Sequence, residues 1–179
     1  MLNKIVCAGV GGQGVLTLGM ILAKAAASQG EYVTWVPEYG SEMRGGNACC
    51  KVKISDEPIV NPFMEEINIL IALCDEALIQ NYQQVEDGGI IMIDSDLVES
   101  IPAKIKNNII KVPATAIANN NNNNKGMSIA MVGAIMAVTE LFTMEEGLNA
   151  VSAYFDSKHL SLEKNISVFK DGYCFIKNN

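Results

Sequence analysis

The chain has 179 residues, of which 49% are hydrophobic and 18% charged, enough to bury a full core in one domain spanning residues 1–179. A net charge of -7 excludes nucleic acid as a partner, because neutralising phosphates takes clustered Lys and Arg. The start Met1-Leu2-Asn3-Lys4 leads into too short an apolar run for a signal peptide. No uninterrupted apolar run approaches the roughly 20 residues of a membrane span, so the expected location is cytoplasmic, with no membrane contact.

In chain order, Lys4 to Ala8 reads as a buried strand, the glycines after it as a turn, and Val15 to Gln29 as a helix closed by Gly30. Tyr32 to Val36 predicts a second strand, stopped by Pro37. In the third, Ala48, Cys50, Val52 and Ile54 share one face while Cys49, Lys51 and Lys53 share the other. That alternation predicts an edge or half-exposed strand. Ile67 to Leu73 predicts a buried strand, Glu76 to Gln84 a helix, Gly89 to Ile93 and Asn108 to Val112 two further strands. The six asparagines Asn119 to Asn124 read as an exposed, mobile loop. Met127 to Phe142 is a strongly apolar helix whose Ala130, Gly133, Ala134 and Ala137 permit close approach, and helices over Met144 to Phe155 and Leu162 to Phe169 close the domain. The fold class expected is therefore α/β: a Rossmann-like, doubly wound, mostly parallel sheet with helices on both faces.

The run Gly9-Val10-Gly11-Gly12-Gln13-Gly14 joins the first strand to the first helix. Such a turn presents backbone N–H groups and the positive helix end to an anion, with no Cβ in the way. Glu38 follows the second strand, near where a dinucleotide enzyme keeps its ribose-binding acid. Gly14 is followed by Val15 and Leu16, so the turn is not a P-loop. Asp87-Gly88 and the asparagine tract have the separation of a thiamine-diphosphate motif, but Glu86 stands where that motif has glycine. Arg44, before Gly45 and Gly46, falls in a loop expected at the carboxyl end of the sheet. Its fork suits a carboxylate or phosphate; contact with another subunit and pairing with Glu38 or Glu42 are equally open. The five cysteines, Cys7, Cys49, Cys50, Cys74 and Cys174, form no C-x-x-C and read as buried thiols, with Cys7, Cys50 and Cys74 inside strands. His159, the one histidine, reads as a surface residue.

Taken together, Gly9 to Val15, the stretch Tyr39-Gly40-Ser41-Glu42-Met43-Arg44-Gly45-Gly46, then Ile54-Ser55-Asp56-Glu57-Pro58-Ile59 and Pro62 resemble the gamma subunit of the 2-oxoacid:ferredoxin oxidoreductases. The likeness is strongest to the 2-oxoglutarate and 2-ketoisovalerate types and extends to Phe169-Lys170-Asp171-Gly172-Tyr173. Asn68 departs from the Asp usual there. The resemblance implies a complex that oxidatively decarboxylates a 2-oxoacid, 2-oxoglutarate first, to an acyl-CoA and passes electrons to ferredoxin. Thiamine diphosphate, Mg and iron-sulfur clusters would belong to alpha and beta subunits, with a delta subunit in some complexes. This chain would then bind no cofactor tightly and contribute at most to coenzyme A. On that reading the cofactor-contacting residues are Gly9, Gly11, Gly12, Gln13, Gly14, Glu38, Arg44, Gly45 and Gly46, with no catalytic or metal-binding residue.

Three other readings use the same residues: a stand-alone NAD-dependent reductase, a purely structural subunit, and the small subunit of an indolepyruvate oxidoreductase. The small-residue helix from Met127 and the high apolar content also predict a surface that needs a partner.

Overall fold

The computed structural model describes residues 1–39, 46–156 and 162–178. Strand β1 (Leu2–Val10) is apolar on both sides and uses both: Ile5 and Cys7 face one core layer, Val6 and Ala8 the other, all at most 3% exposed. Around it lie β2 (Tyr32–Tyr39), β3 (Asn47–Ser55), β4 (Ile67–Ala72), β5 (Val85–Asp94) and β6 (Asn108–Val112), in the order β2-β3-β1-β4-β5-β6. The pairs β1–β4, β4–β5 and β5–β6 are parallel, whereas β3 runs antiparallel to both neighbours. All strands but β3 therefore point the same way, as the α/β reading expects.

The helices are α1 (Val15–Ser28), α2 (Asp75–Asn81), α3 (Ala114–Asn120), α4 (Met127–Thr139), α5 (Met144–Asp156) and α6 (Leu162–Lys177). Their division between the faces is unequal. Residues of α1, α3, α4, α5 and α6 join Ile5, Cys7, Ile69 and Ile71 in one layer, and the short α2, together with Tyr82, Val98, Ile101 and Ile105, covers Val6, Leu70 and Ala72 on the other. Helix α1 ends in a Schellman closure, Glu31 N donating to Ala26 O and Gly30 N to Ala27 O, with Gly30 at φ +81°.

Several expectations are corrected. Pro37 does not stop β2, which runs on to Tyr39. As the edge strand it can present the proline's missing N–H outward. β3 is not an edge, since β1 and β2 flank it. Its polar face survives inside the sheet because Lys53, 8% exposed, donates from Nζ to the carbonyls of Asn61 and Phe63, each at 2.6 Å. Cys74 is not in a strand but precedes α2 as its N-cap.

Helix α4 stops at Thr139, where Glu140 takes φ +54°. Every residue from Met127 to Ala137 is buried within the chain, between α1, α3, α5 and α6. The small residues expected to await a partner therefore serve internal packing. Gly133 lies against the backbone of Phe169 and Tyr173, and Gly172 against that of Ala130, so α4 and α6 cross with no room for a Cβ. The asparagine tract is likewise not a free loop. Asn119 and Asn120 finish α3, the Asn121 side-chain amide donates to Ile117 O and Asp171 Oδ2, and that of Asn123 to Asn165 Oδ1. Asn68 bridges to β1, accepting from Lys4 N at 2.8 Å and donating to Leu2 O at 3.3 Å. An aspartate there could only accept.

Candidate anion site at the glycine turn

The turn between β1 and α1 is built from its backbone. Gln13 N donates to Val10 O at 3.2 Å, Gly11 N to Gly46 O at 2.9 Å, and Leu18 N to Gly14 O at 2.9 Å. Gly12 at φ +102° and Gly14 at φ +76° hold conformations that L-residues rarely adopt. Gly14 is the N-cap of α1, so the first N–H groups of the helix face outward, as at any helix start. The Gly11–Gly46 bond brings the end of the 40–46 segment against the glycine turn. Glu42, Met43, Arg44 and Gly45 themselves lie outside the described residues, as does His159.

Gln13 holds the turn shut. Its Oε1 accepts from Val10 N at 2.8 Å and its Nε2 donates to Leu73 O at 3.0 Å, which joins the carboxyl ends of β1 and β4. Gly9 lies directly beneath this amide, where a Cβ would collide with Gln13 Oε1 and come within 3.1 Å of Leu73 Cβ. Gly9 and Gln13 are thus the turn's own fastening, and Gly12, open on its outer side, is where a ligand can approach.

Two cavities flank the turn. The first, about 240 Å³, lies on the α2 side between Ala8, Gly9, Glu38, Cys49 and Gln80. Glu38 is paired there with Lys51 at 2.7 Å. Because β3 separates β2 from β1, Glu38 stands two strands from the glycine strand, about 10 Å across the sheet. The adjacent strand of a dinucleotide fold would put that acid closer. Burial, and then the Glu38 carboxylate, push the Cys49 thiol up to about 12. Cys7 and Cys50 are register partners, buried side by side, and their thiol contact together with burial raises Cys7.

The second cavity, about 370 Å³, lies on the other side of the turn, between Gly12, Gly14, Thr17, Lys125, Ser128, Lys164 and the apolar Ile129 and Phe155. None of its lysines or its serine is marked in the sequence as a site. Only the helix start at Lys125-Gly126 hints at them, and its proximity to Gly14, over a hundred residues away, is a tertiary fact. Asp87 and Gly88 belong to the start of β5, whereas the asparagine tract follows β6 at the opposite end of the sheet. The thiamine-like spacing therefore corresponds to no site, and among the described residues no group of His, Cys, Asp and Glu could hold a metal.

The family signature splits between two poles. The glycine turn and the 46 end of the second stretch meet at the carboxyl end of β1, but Ile54 to Pro62 lies where β3 ends, at the amino end of β1, a strand length away. A model of the pyruvate ferredoxin/flavodoxin oxidoreductase family matches residues 4–175. The chain belongs to that family. Ketoisovalerate oxidoreductase subunit VorA of Methanothermobacter thermautotrophicus is 33% identical over 98% of this chain, and the chain spans 37% of that relative's length. 2-Oxoglutarate synthase subunit KorC of Methanocaldococcus jannaschii is 33% identical over 97% of this chain and 93% of its own.

The gamma subunit of a keto/oxoacid ferredoxin oxidoreductase from Geobacter sulfurreducens superposes with a TM-score of 0.84 at 27% identity, covering 99% of both chains. A 2-oxoglutarate:ferredoxin oxidoreductase from Magnetococcus marinus, described with 2-oxoglutarate, coenzyme A and succinyl-CoA bound, shares the fold at 23% identity and a TM-score of 0.87, over 31% of its length. Within the oxidoreductase family this chain thus has the gamma-subunit fold. Among the described residues, no helix is long and apolar enough to cross a membrane.

Proposed function

We propose that this chain is the accessory gamma subunit of a cytoplasmic 2-oxoacid:ferredoxin oxidoreductase, assembled with alpha and beta subunits and, where present, delta. Thiamine diphosphate, Mg and the iron-sulfur clusters sit on those partners, where decarboxylation and the transfer of electrons to ferredoxin take place. Beside those partners this chain has a task of its own. That task is to receive coenzyme A for acyl release. 2-Oxoglutarate is the preferred substrate, in keeping with full-length KorC relatives.

The observation that carries this reading is the glycine turn tied to the 46 end of the neighbouring stretch. It presents outward N–H groups at the carboxyl end of a parallel sheet, where α/β folds bind ligands. Gly12 and Gly14 would bind phosphate oxygens through backbone N–H groups, whereas the Gly11 N–H is already given to Gly46 O and shapes the turn. Arg44 would add a charge-assisted contact, and Gly45 and Gly46 would let it approach.

The test uses the assembled complex, because its two half-reactions can be followed apart. Arg44→Ala should weaken coenzyme A binding by roughly 1.5–3 kcal/mol, the range for hydrogen bonds to charged groups. The coenzyme A concentration for half-maximal turnover should then rise about tenfold or more, while the coenzyme A-independent first electron transfer stays as it was. An intact Arg44→Ala complex with unchanged coenzyme A dependence would remove the ligand role.

A further inference from the structure

We propose that Cys7 and Cys50 form a latent disulfide site, which a small peroxide closes and thiols reopen. Neither side chain enters the coenzyme A reading above, and the site stands without it.

The two cysteines are register partners in the antiparallel pairing of β1 with β3, and both turn to the helix-rich layer, each 0% exposed. Directly opposed residues of an antiparallel pair keep their Cα atoms about 4.5–5.5 Å apart, inside the roughly 4.4–6.8 Å that a disulfide spans. The thiols already touch: contact with the Cys50 thiol, ahead of burial, raises Cys7 well above the ordinary thiol range. The strands therefore need no slip for the sulfurs to join. Cys49 looks to the opposite layer, Cys74 precedes α2 as its N-cap, and Cys174 is exposed on α6, so no other two cysteines are matched in register.

A second observation points to chemistry at this place. Trp35 Nε1 is buried with no hydrogen-bond partner among the described residues, and a Cβ added to Gly19 would both collide with Cys50 Sγ and come within 3.2 Å of that nitrogen. The orphan donor and the sulfur thus meet the same point of α1. Peroxide would transfer one oxygen to Cys50 Sγ, leaving water and a sulfenic acid, whose oxygen the Trp35 N–H is placed to meet. The Cys7 thiol then attacks the Cys50 sulfur, the S–S bond forms, and that oxygen leaves as a second water. Two thiols lose two protons and two electrons, and one peroxide becomes two waters. Because the thiolate is the reactive form and Cys7 rests protonated, the step waits on an opening of the β2–β3 side of the sheet.

The closed bond would act on the turn above it. Cys50 Sγ donates to the carbonyl of Val15, the first residue of α1, at 3.5 Å, and gives up that proton on oxidation. The segment between the two cysteines carries the glycine turn, α1 and β2, so the disulfide would fasten both ends of that unit.

Exposure of the reduced full chain to hydrogen peroxide, followed by alkylation in denaturant and peptide mapping without reductant, tests the site. In the wild type Cys7 and Cys50 should stop being alkylated together, and a peptide linking Cys7 to Cys50 should appear that dithiothreitol removes. Trp35, the only tryptophan, should lose fluorescence on oxidation and regain it with dithiothreitol. Cys174→Ala should behave as the wild type, whereas Cys7→Ala and Cys50→Ala should give no such peptide. Were either of these to misfold, the wild-type map alone decides. A different cysteine pairing, a link between two chains, or Cys7 and Cys50 still alkylated after Cys174 has been fully oxidised would overturn the proposal.

Discussion

Gln13 joins the ends of two parallel strands through one amide, using its oxygen for Val10 N and its nitrogen for Leu73 O. Gln13→Ala leaves both backbone groups without that partner and should lower stability by about 1–3 kcal/mol. Each kcal/mol corresponds to about 2–4 °C in the midpoint for a domain of this size, so thermal unfolding reads the effect directly. Gln13→Glu can still accept from Val10 N but cannot donate to Leu73 O, and should fall between the two. An unchanged midpoint for Gln13→Ala would show that the latch contributes nothing.

The glycines of the turn were legible in the sequence because they answer to local backbone geometry. The Gln13 latch was not, since its second partner lies 60 residues away. Lys125, Ser128 and Lys164 were hidden for the same reason. Cys49 shows a similar nonlocal effect: burial and Glu38 raise its thiol from 9.0 to about 12. A folded-state value above the unfolded one stabilises the native state fully below pH 9.0 and loses that contribution as the pH climbs toward about 12. At pH 8.5, below the 9.0 from which Cys49 is raised, iodoacetamide should therefore modify Cys49 much more slowly than the exposed Cys174. Peptide mass spectrometry would measure the two rates, which should converge in denaturant; equal rates in the folded chain contradict the burial argument.

At the scale of elements, existence and type were readable from periodicity except for α3, which the sequence reading passed over, and boundaries were not. The run from Met127 gave a helix, but its end at Glu140 depends on a left-handed residue that no apolar pattern marks. Its small residues were correctly read as allowing close approach, although the approaching element is α6 of the same chain. Gly133→Ala would favour the isolated helix by about 1 kcal/mol. Its Cβ, however, would meet the Phe169 carbonyl and lie 2.8 Å from Tyr173 N, both backbone atoms that cannot swing aside. Overpacking of this kind costs about 1–3 kcal/mol. Urea denaturation of Gly133→Ala should accordingly show a net loss, and a gain would mean that α4 and α6 part easily.

For the whole molecule, the alternation of strands and helices indicated the sheet, but β3 entered it between β1 and β2 through pairings that no local pattern encodes. The same insertion places the family-marking stretches at two poles. The carboxyl pole holds the glycine turn. The amino pole exposes Val60 at 96% and Phe63 at 70%, near Leu2 and Tyr32, which both pair with Ser55. Exposed apolar residues gathered in this way suit a protein partner, and Val60→Asp/Phe63→Asp should weaken co-elution with the catalytic subunits in size-exclusion chromatography while the isolated chain keeps its midpoint. Unimpaired co-elution would place the contact elsewhere.

The central claim is that this chain supplies the coenzyme A function of an oxidoreductase whose chemistry lies on its partners. It is tested most directly by measuring viologen-linked 2-oxoacid oxidation against coenzyme A concentration, with catalytic subunits assembled with and without the chain. The account predicts no activity from the chain alone and saturable, coenzyme A-dependent turnover from the full complex. Without the chain, that dependence should weaken or disappear. Identical coenzyme A curves with and without the chain would contradict it.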